Sequence, residues 1–183
     1  MNGPGGPSAM ADPVGDLLRL QVWLSPAFPV GGFTYSHGLE WAIEAGDVTD
    51  AATLDRWLSD VLDHGAGRSD AILLVQAMRA AAAEDLDRLA EIVELAAAFQ
   101  PSKERRLEAT AQGAAFVRAI SDTWSTPVFD RLTADLSRRF AGSPPWTHAV
   151  AVGVAAAAHG ASEVEVAPAF VQAFAANLIS AGV

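Results

Sequence analysis

Apolar residues recur at three- and four-residue spacings along most of the chain, the period of amphipathic helices rather than the strict alternation of strands. Val14, Leu17, Leu18, Leu20 and Val22 form a first stripe over 14–23. It stops before Ser25-Pro26, because a residue preceding proline is pushed out of the helical region. Ser36 is expected to cap a second helix through "HGLEWAIEA", which ends at Gly46. Thr49 or Asp50 caps a third, where Leu54, Trp57, Leu58, Val61 and Leu62 share a face. "HGAGRSD" at 64–70 reads as a break or kink before "AILLVQAMRAAAAED". The stripe Leu86, Leu89, Ile92, Val93, Leu95 ends at Pro101, and Ser102 restarts the chain into "KERRLEATAQGAAFVRAISDTW". Thr126-Pro127 is a cap followed by proline at the first helical position. Ser143-Pro144-Pro145 is expected to open a helix through His159. For the last helix, Ser162 and Glu165 have capping-box spacing, while Pro168 allows a start nearer Ala167. The pattern predicts an all-α fold, a single globular domain of roughly eight helices at 14–183 behind a flexible tail at 1–13.

Composition sharpens this picture. A chain of 183 residues supports one domain that buries roughly 70% of its unfolded surface. With no cysteine, thiolate chemistry and disulfide staples are excluded, which fits a reducing, cytoplasmic setting. A net charge of −10 argues against nucleic-acid and anionic-membrane partners, both of which attract basic surfaces. The opening "MNGPGGPSAMADP" has neither the basic start nor the apolar run of a signal peptide. "AVAVGVAAAAHG" at 149–160 is too short to span a bilayer and reads as a buried helix. From 141 onward the only carboxylate or cationic side chains are Glu163 and Glu165. So apolar a stretch must be covered by its own core or by another chain.

One segment stands apart, "SPAFPVGGFTYSHGLE" at 25–40. Its glycine pair is not a P-loop, which needs Gly-Lys-Ser/Thr, and the single lysine, Lys103, follows no glycine. No strand precedes it, as a dinucleotide cradle requires. His37 and Glu40 supply two ligands at most, too few for a metal site. His148 and His159 would lie about 16 Å apart on one helix. Ser36 beside His37 makes no dyad, since neighbours on a helix diverge, and no "GxSxG" elbow is present. Glu40 and Glu44, one turn apart, could act as acid and base only if buried. Structurally, Pro26 and Pro29 stiffen the segment, Gly31, Gly32 and Gly38 supply its turns, and Phe28, Phe33 and Tyr35 supply rigid area. Phe33 and Leu39 are expected to point inward; Tyr35, His37 and Glu40 outward. A second feature, "PSKERRLEATAQG" at 101–113, is the one cationic knot in an acidic chain. Lys103, Arg105 and Arg106 oppose the dipole of the helix they begin, which favours a role toward a partner.

With these residues in view, "LLRLQVWLSPAFPVGGFTYSHGLEWAIEAGDVTD" resembles the opening of the urease accessory protein F (UreF) family. "SKERRLEATAQG" is similar to that family's S-x-E-x-R…G block, and the apolar end of the chain to its C-terminal helices. The resemblance implies an all-α homodimer without cofactor or catalytic residue, acting in nickel insertion into urease. It implies a bridge between a scaffold accessory protein (D or H type) and a GTPase accessory protein (G type) that it regulates, with the urease apoprotein reached through the complex. Tyr35, His37, Glu40, Lys103, Glu104 and Arg106 are the expected partner-binding residues; Pro29, Gly31, Gly32, Ser36 and Gly38 build the motif. Direct nickel binding by a metallochaperone, a small-molecule enzyme with a pocket at Tyr35, His37, Glu40 and Glu44, and a generic helical interaction domain are the alternatives. Family members continue beyond the position of Val183 into an R-x-x-P-L-G-Q-like tail, which this sequence is expected to lack.

Overall fold

In a computed structural model of the protein, residues 13–30 and 36–181 are described, and their apolar stripes close into nine helices with no strand among them. In chain order these are α1 (Pro13–Trp23), α2 (Leu39–Glu44), α3 (Ala51–His64), α4 (Ala66–Ala82), α5 (Leu86–Ala98), α6 (Lys103–Thr123), α7 (Pro127–Arg139), α8 (His148–Ala158) and α9 (Glu163–Ala181). The all-α expectation holds. The sequence "MNGPGGPSAMAD", Gly31, Gly32, Phe33 and Tyr35 lie outside the described residues, and Pro13 already belongs to α1.

The apolar run in α8 dictates the architecture. Every residue from Ala149 to Ala156 is buried, so this helix has no solvent face and must be wrapped on all sides. Its main neighbour is α4, and α6 packs against another side. Leu74, Ala77 and Ala81 of α4 are completely or almost completely buried. α5, α7 and α9 close the shell, and Phe116 and Ile120 of α6 and Phe129, Leu132 and Leu136 of α7 belong to the same core. Small residues on α8 allow the helices to approach closely. Large side chains around them, Trp23, Phe116 and Phe129, fill the remaining volume. A separate small cluster of Leu39, Ala42 and Val48, backed by Leu54 and Trp57, anchors α2 to α3.

Local signals set most boundaries. Asp50 accepts from the Thr53 N–H at 2.8 Å while Thr53 Oγ1 accepts from the Asp50 N–H at 2.9 Å, a reciprocal cap for α3. Gly65 separates α3 from α4, as "HGAGRSD" predicts. Thr126 and Pro127 open α7. Three starts differ from expectation. Ser36 does not cap α2: its carbonyl accepts the Leu39 N–H at 2.9 Å in a turn, and Gly38 occupies the N-cap position. Ser143, Pro144 and Pro145 stay outside α8, which begins at His148 behind the N-cap residue Thr147. Here tertiary packing overrides the helix-opening signal of the prolines, since the Trp146 carbonyl rests against Gly113 of α6. α9 begins at Glu163, the earlier of the two starts, with the Glu165 carboxylate accepting from the Ser162 hydroxyl at 2.6 Å. Across the shell, Arg79 grips Glu163 in a two-pronged contact at 2.9 and 2.8 Å, joining α4 to α9. At this exposure such a pair adds orientation more than stability.

Candidate functional site

The N-terminal ends of α4, α6 and α8 converge on a partly enclosed cavity of about 180 Å³. The end of α1, the turn before α2, and α9 complete its wall, through Trp23, His37 and Phe174. The convergence follows from the packing: α8 is central, and α4 and α6 lie against it.

The wall carries several part-buried polar side chains among apolar ones. Asp70, in α4, is pushed up to about 6 from 3.8 by burial, with Arg105 opposing the shift. Arg105 of α6, its side chain only 12% exposed, pairs with Glu108 at 2.8 Å. Gln112, one turn on, donates to the other Glu108 oxygen at 3.1 Å. Burial, and secondarily the nearby Arg105 cation, lowers His37 to about 4. Burial alone does the same to His148. Both imidazoles are therefore neutral at physiological pH. His148 stands edge-on to Phe116, with ring centres 5.5 Å apart. Three buried side-chain atoms here have no hydrogen-bond partner: Trp23 Nε1, Thr147 Oγ1 and His148 Nε2.

The expected site residues divide among three places. His37 turns inward, contrary to the outward expectation, and its ring centre lies 5.1 Å from that of Phe174. The backbone causes this. His37 and Gly38 have φ values of 51° and 89°, both left-handed, which swing the chain sharply into α2. Glu40 and Glu44 are exposed on α2 and do not line the cavity, so the four-residue pocket of the enzyme alternative is not assembled. Lys103, Glu104 and Arg106 are exposed on the first turn of α6. The Glu104 carboxyl is held below its usual range by its own backbone N–H and the Ser102 hydroxyl. The cationic knot thus splits, with Arg105 inside and Lys103 and Arg106 outside. Leu39 is fully buried, as expected, and Pro29 is exposed beside the buried Phe28. Tyr35, Gly31 and Gly32 fall outside the described residues.

Two large apolar side chains sit next to the exposed polar ones. Trp41 follows Glu40 and is 68% exposed; Leu107 follows Arg106 and is 71% exposed. His37, in the turn before α2, and Arg105, in the first turn of α6, line the same cavity. Two blocks nearly seventy positions apart in sequence become one region of the fold.

The sequence pattern did not single out Asp70, Thr147 or Trp23. Asp70 and Thr147 look like ordinary polar residues at helix starts, and Trp23 like one more member of the α1 stripe. No spacing rule joins them, because the elements that carry them meet only in the folded chain. Among the described residues, no group of three or more His, Cys, Asp or Glu is placed to hold a metal ion. None of the described helices is long and apolar enough to cross a membrane.

The UreF family profile matches residues 48–183. A protein of Bradyrhizobium sp. strain BTAi1 named "Urease accessory protein UreF" is 51% identical over 166 residues, covering 91% of this chain and 66% of its own length. A protein of the same name from Methylorubrum populi is 50% identical over 166 residues, covering 91% of this chain and 71% of its own. One from Bradyrhizobium diazoefficiens is 50% identical over 165 residues, covering 90% and 66%. The chain thus spans about two-thirds of the length of the curated relatives it matches.

Proposed function

This chain belongs to the UreF family, and from that membership we propose that it is an accessory protein of urease maturation. In this reading it is not an enzyme. It bridges a scaffold accessory protein and a GTPase accessory protein, works as a homodimer in the cytoplasm, and meets the urease apoprotein through the complex. Nickel is the cargo of that assembly.

The observation that carries a docking role is the exposure of two large apolar side chains in the two blocks, Trp41 next to Glu40 in α2 and Leu107 next to Arg106 in α6. Interface hot spots are enriched in Trp and Arg, and Trp41 and Leu107, 68% and 71% exposed, each adjoin a charged residue in sequence. Glu40, Lys103, Glu104 and Arg106 supply the polar part of the face. His37 contributes by setting the turn that presents α2, and Tyr35 is proposed to take part in partner binding. Regulation of a GTPase requires unequal affinity for its states, since a partner with equal affinity shifts nothing. The chain is therefore proposed to prefer one nucleotide state.

The test is urease activity in cells that express a cognate urease operon with and without this chain at fixed nickel. Activity is expected to depend on the chain. Trp41→Ala and Arg106→Glu are each expected to weaken co-purification of the accessory partners about tenfold, with the helical circular dichroism unchanged. Urease activity that is the same without the chain would overturn the maturation role. Intact co-purification by both variants would remove the docking face.

A further inference from the structure

Carboxylates are spread unevenly over this chain. Residues 40–63 carry seven of them against one cation, Arg56, a formal charge of −6 in a chain whose total is −10. All seven are exposed. Elsewhere, carboxylates from Asp16 of α1 to Glu163 of α9 meet arginines in ion pairs; among the described residues, none of those pairs uses a carboxylate of 40–63. Local electrostatics accounts for only part of this charge. Asp50 caps α3, and Glu40 sits in the favourable first turn of α2. Glu44 and Asp63, however, lie in the last turns of α2 and α3, where the helix dipole disfavours an anion. Apolar side chains lie within the same stretch. Trp41 and Ile43 of α2 are 68% and 40% exposed, while Leu39 and Ala42 anchor the helix to α3 from its buried side. α2 therefore shows an apolar outer face flanked by Glu40 and Glu44.

We propose that the outer face of α2, with Trp41 and Ile43 as its apolar part and Glu40 and Glu44 as its charged part, docks a basic polypeptide segment in which lysine or arginine is interleaved with apolar residues. This rests on the docking role of Trp41 given above and names the chemistry of the partner. Charge complementarity selects that class. An acidic segment would be repelled by the uncompensated carboxylates of 40–63. A wholly apolar one would take water from Glu40 and Glu44 and return no counter-charge. A lysine or arginine meets both needs at once. Its charged head pairs with a carboxylate while its aliphatic stem covers the exposed indole, and the cation is itself attracted to the indole face. The negative field over α2 and α3 also draws such a segment in and speeds encounter.

The experiment is a titration of the ¹⁵N-labelled full chain with three synthetic peptides: one of lysine and leucine, one with glutamate in place of each lysine, and one with glycine in place of each leucine. The readouts are the Trp41 indole N–H and the Ile43 amide. The lysine–leucine peptide is expected to shift both saturably, with an affinity that falls as ionic strength rises. The lysine–glycine peptide should bind more weakly and the glutamate–leucine peptide not at all. Trp41→Ala is expected to weaken the lysine–leucine peptide about tenfold, and Glu40→Gln with Glu44→Gln about fivefold. The control is Glu94→Gln with Asp122→Asn, which removes the same charge from exposed positions on α5 and α6 and should keep wild-type affinity. Glu40 and Glu44 are like charges one turn apart, so neutralising them relieves repulsion within α2; an unchanged thermal midpoint then separates lost binding from lost structure. The proposal is overturned if the lysine–leucine peptide gives no saturable shift, if the glutamate–leucine peptide matches it, or if the control pair weakens it as much as the Glu40 and Glu44 pair does. Equal binding of the lysine–glycine peptide, with Trp41→Ala without effect, also overturns it, since charge alone would then be at work. Calcium chloride shifting the same signals saturably at matched ionic strength would assign the face to a divalent cation instead. The urease assay decides the maturation role separately: a chain on which urease activity depends but whose α2 face ignores the lysine–leucine peptide loses the basic partner and keeps that role.

Discussion

At the scale of single residues, contact between helices fixes identity most tightly where a side chain has no room at all. A Cβ at Gly153 would lie 2.5 Å from the Leu74 carbonyl oxygen and 3.2 Å from the Ala77 Cβ, so α4 and α8 could not keep their present spacing. At Gly113 the clash would be with the Trp146 carbonyl oxygen at 2.1 Å, which is backbone and cannot rotate away. Gly153→Ala gains about 1 kcal/mol of helix propensity but overpacks the core, at a cost of about 1–3 kcal/mol or more. With backbone as the obstacle the upper end applies, and a net loss of about 1–2 kcal/mol is expected in urea unfolding. A Gly153→Ala protein as stable as wild type would show that the α4–α8 crossing yields easily. The glycine itself is visible in the sequence. Its reason is not, because Leu74 lies 79 positions earlier in a segment that no local rule connects to it.

Among elements, the caps separate sequence signals that operate from those that tertiary structure displaces. Asp50 and Thr53 carry out their reciprocal capping, so Asp50→Ala is expected to lower the thermal midpoint. Ser36 has the same chemistry but lies outside the cap position, so Ser36→Ala should leave the midpoint almost unchanged. Equal effects of the two substitutions, followed by circular dichroism, would contradict the observed start of α2 at Leu39. The comparison also explains why helix existence is easier to read than helix start. Amphipathic stripes integrate over many residues, whereas a start depends on two or three dihedral angles. His37, just before α2, takes a left-handed φ of 51°, which its residue type alone does not announce.

For the whole molecule, the cavity groups make stability depend on pH in a defined window. His37 and His148 stand at about 4 when folded, against 6.5 for a free imidazole. As pH falls from 6.5 toward 4 the unfolded chain takes up two protons that the folded chain refuses, and stability is lost. Asp70 acts in the opposite direction. Raised to about 6 from 3.8, it binds its proton first in the folded state and returns some stability as pH falls through 6. Two histidines oppose one aspartate, so the net change is a fall. Urea midpoints measured across this range should therefore decrease on acidification. Asp70→Asn is expected to raise the midpoint at neutral pH and steepen the decline. A midpoint that is flat, or that rises toward pH 4, would mean that the two histidines are not held neutral by burial.

The apolar period was enough to establish an all-α chain and a buried helix at the alanine-rich run, the glycines of "HGAGRSD" marked the break at Gly65, and the quoted blocks carried the resemblance to the family. These are properties of short or repeating stretches, where neighbours in sequence are neighbours in space. The meeting of Trp23, His37, Asp70, Arg105 and Thr147 around one cavity depended on the fold, as did the inward turn of His37 and Arg105. Five separate elements supply those residues, and their burial, which shifts the titrating groups and strips partners from the polar ones, arises only when α4, α6 and α9 close around α8.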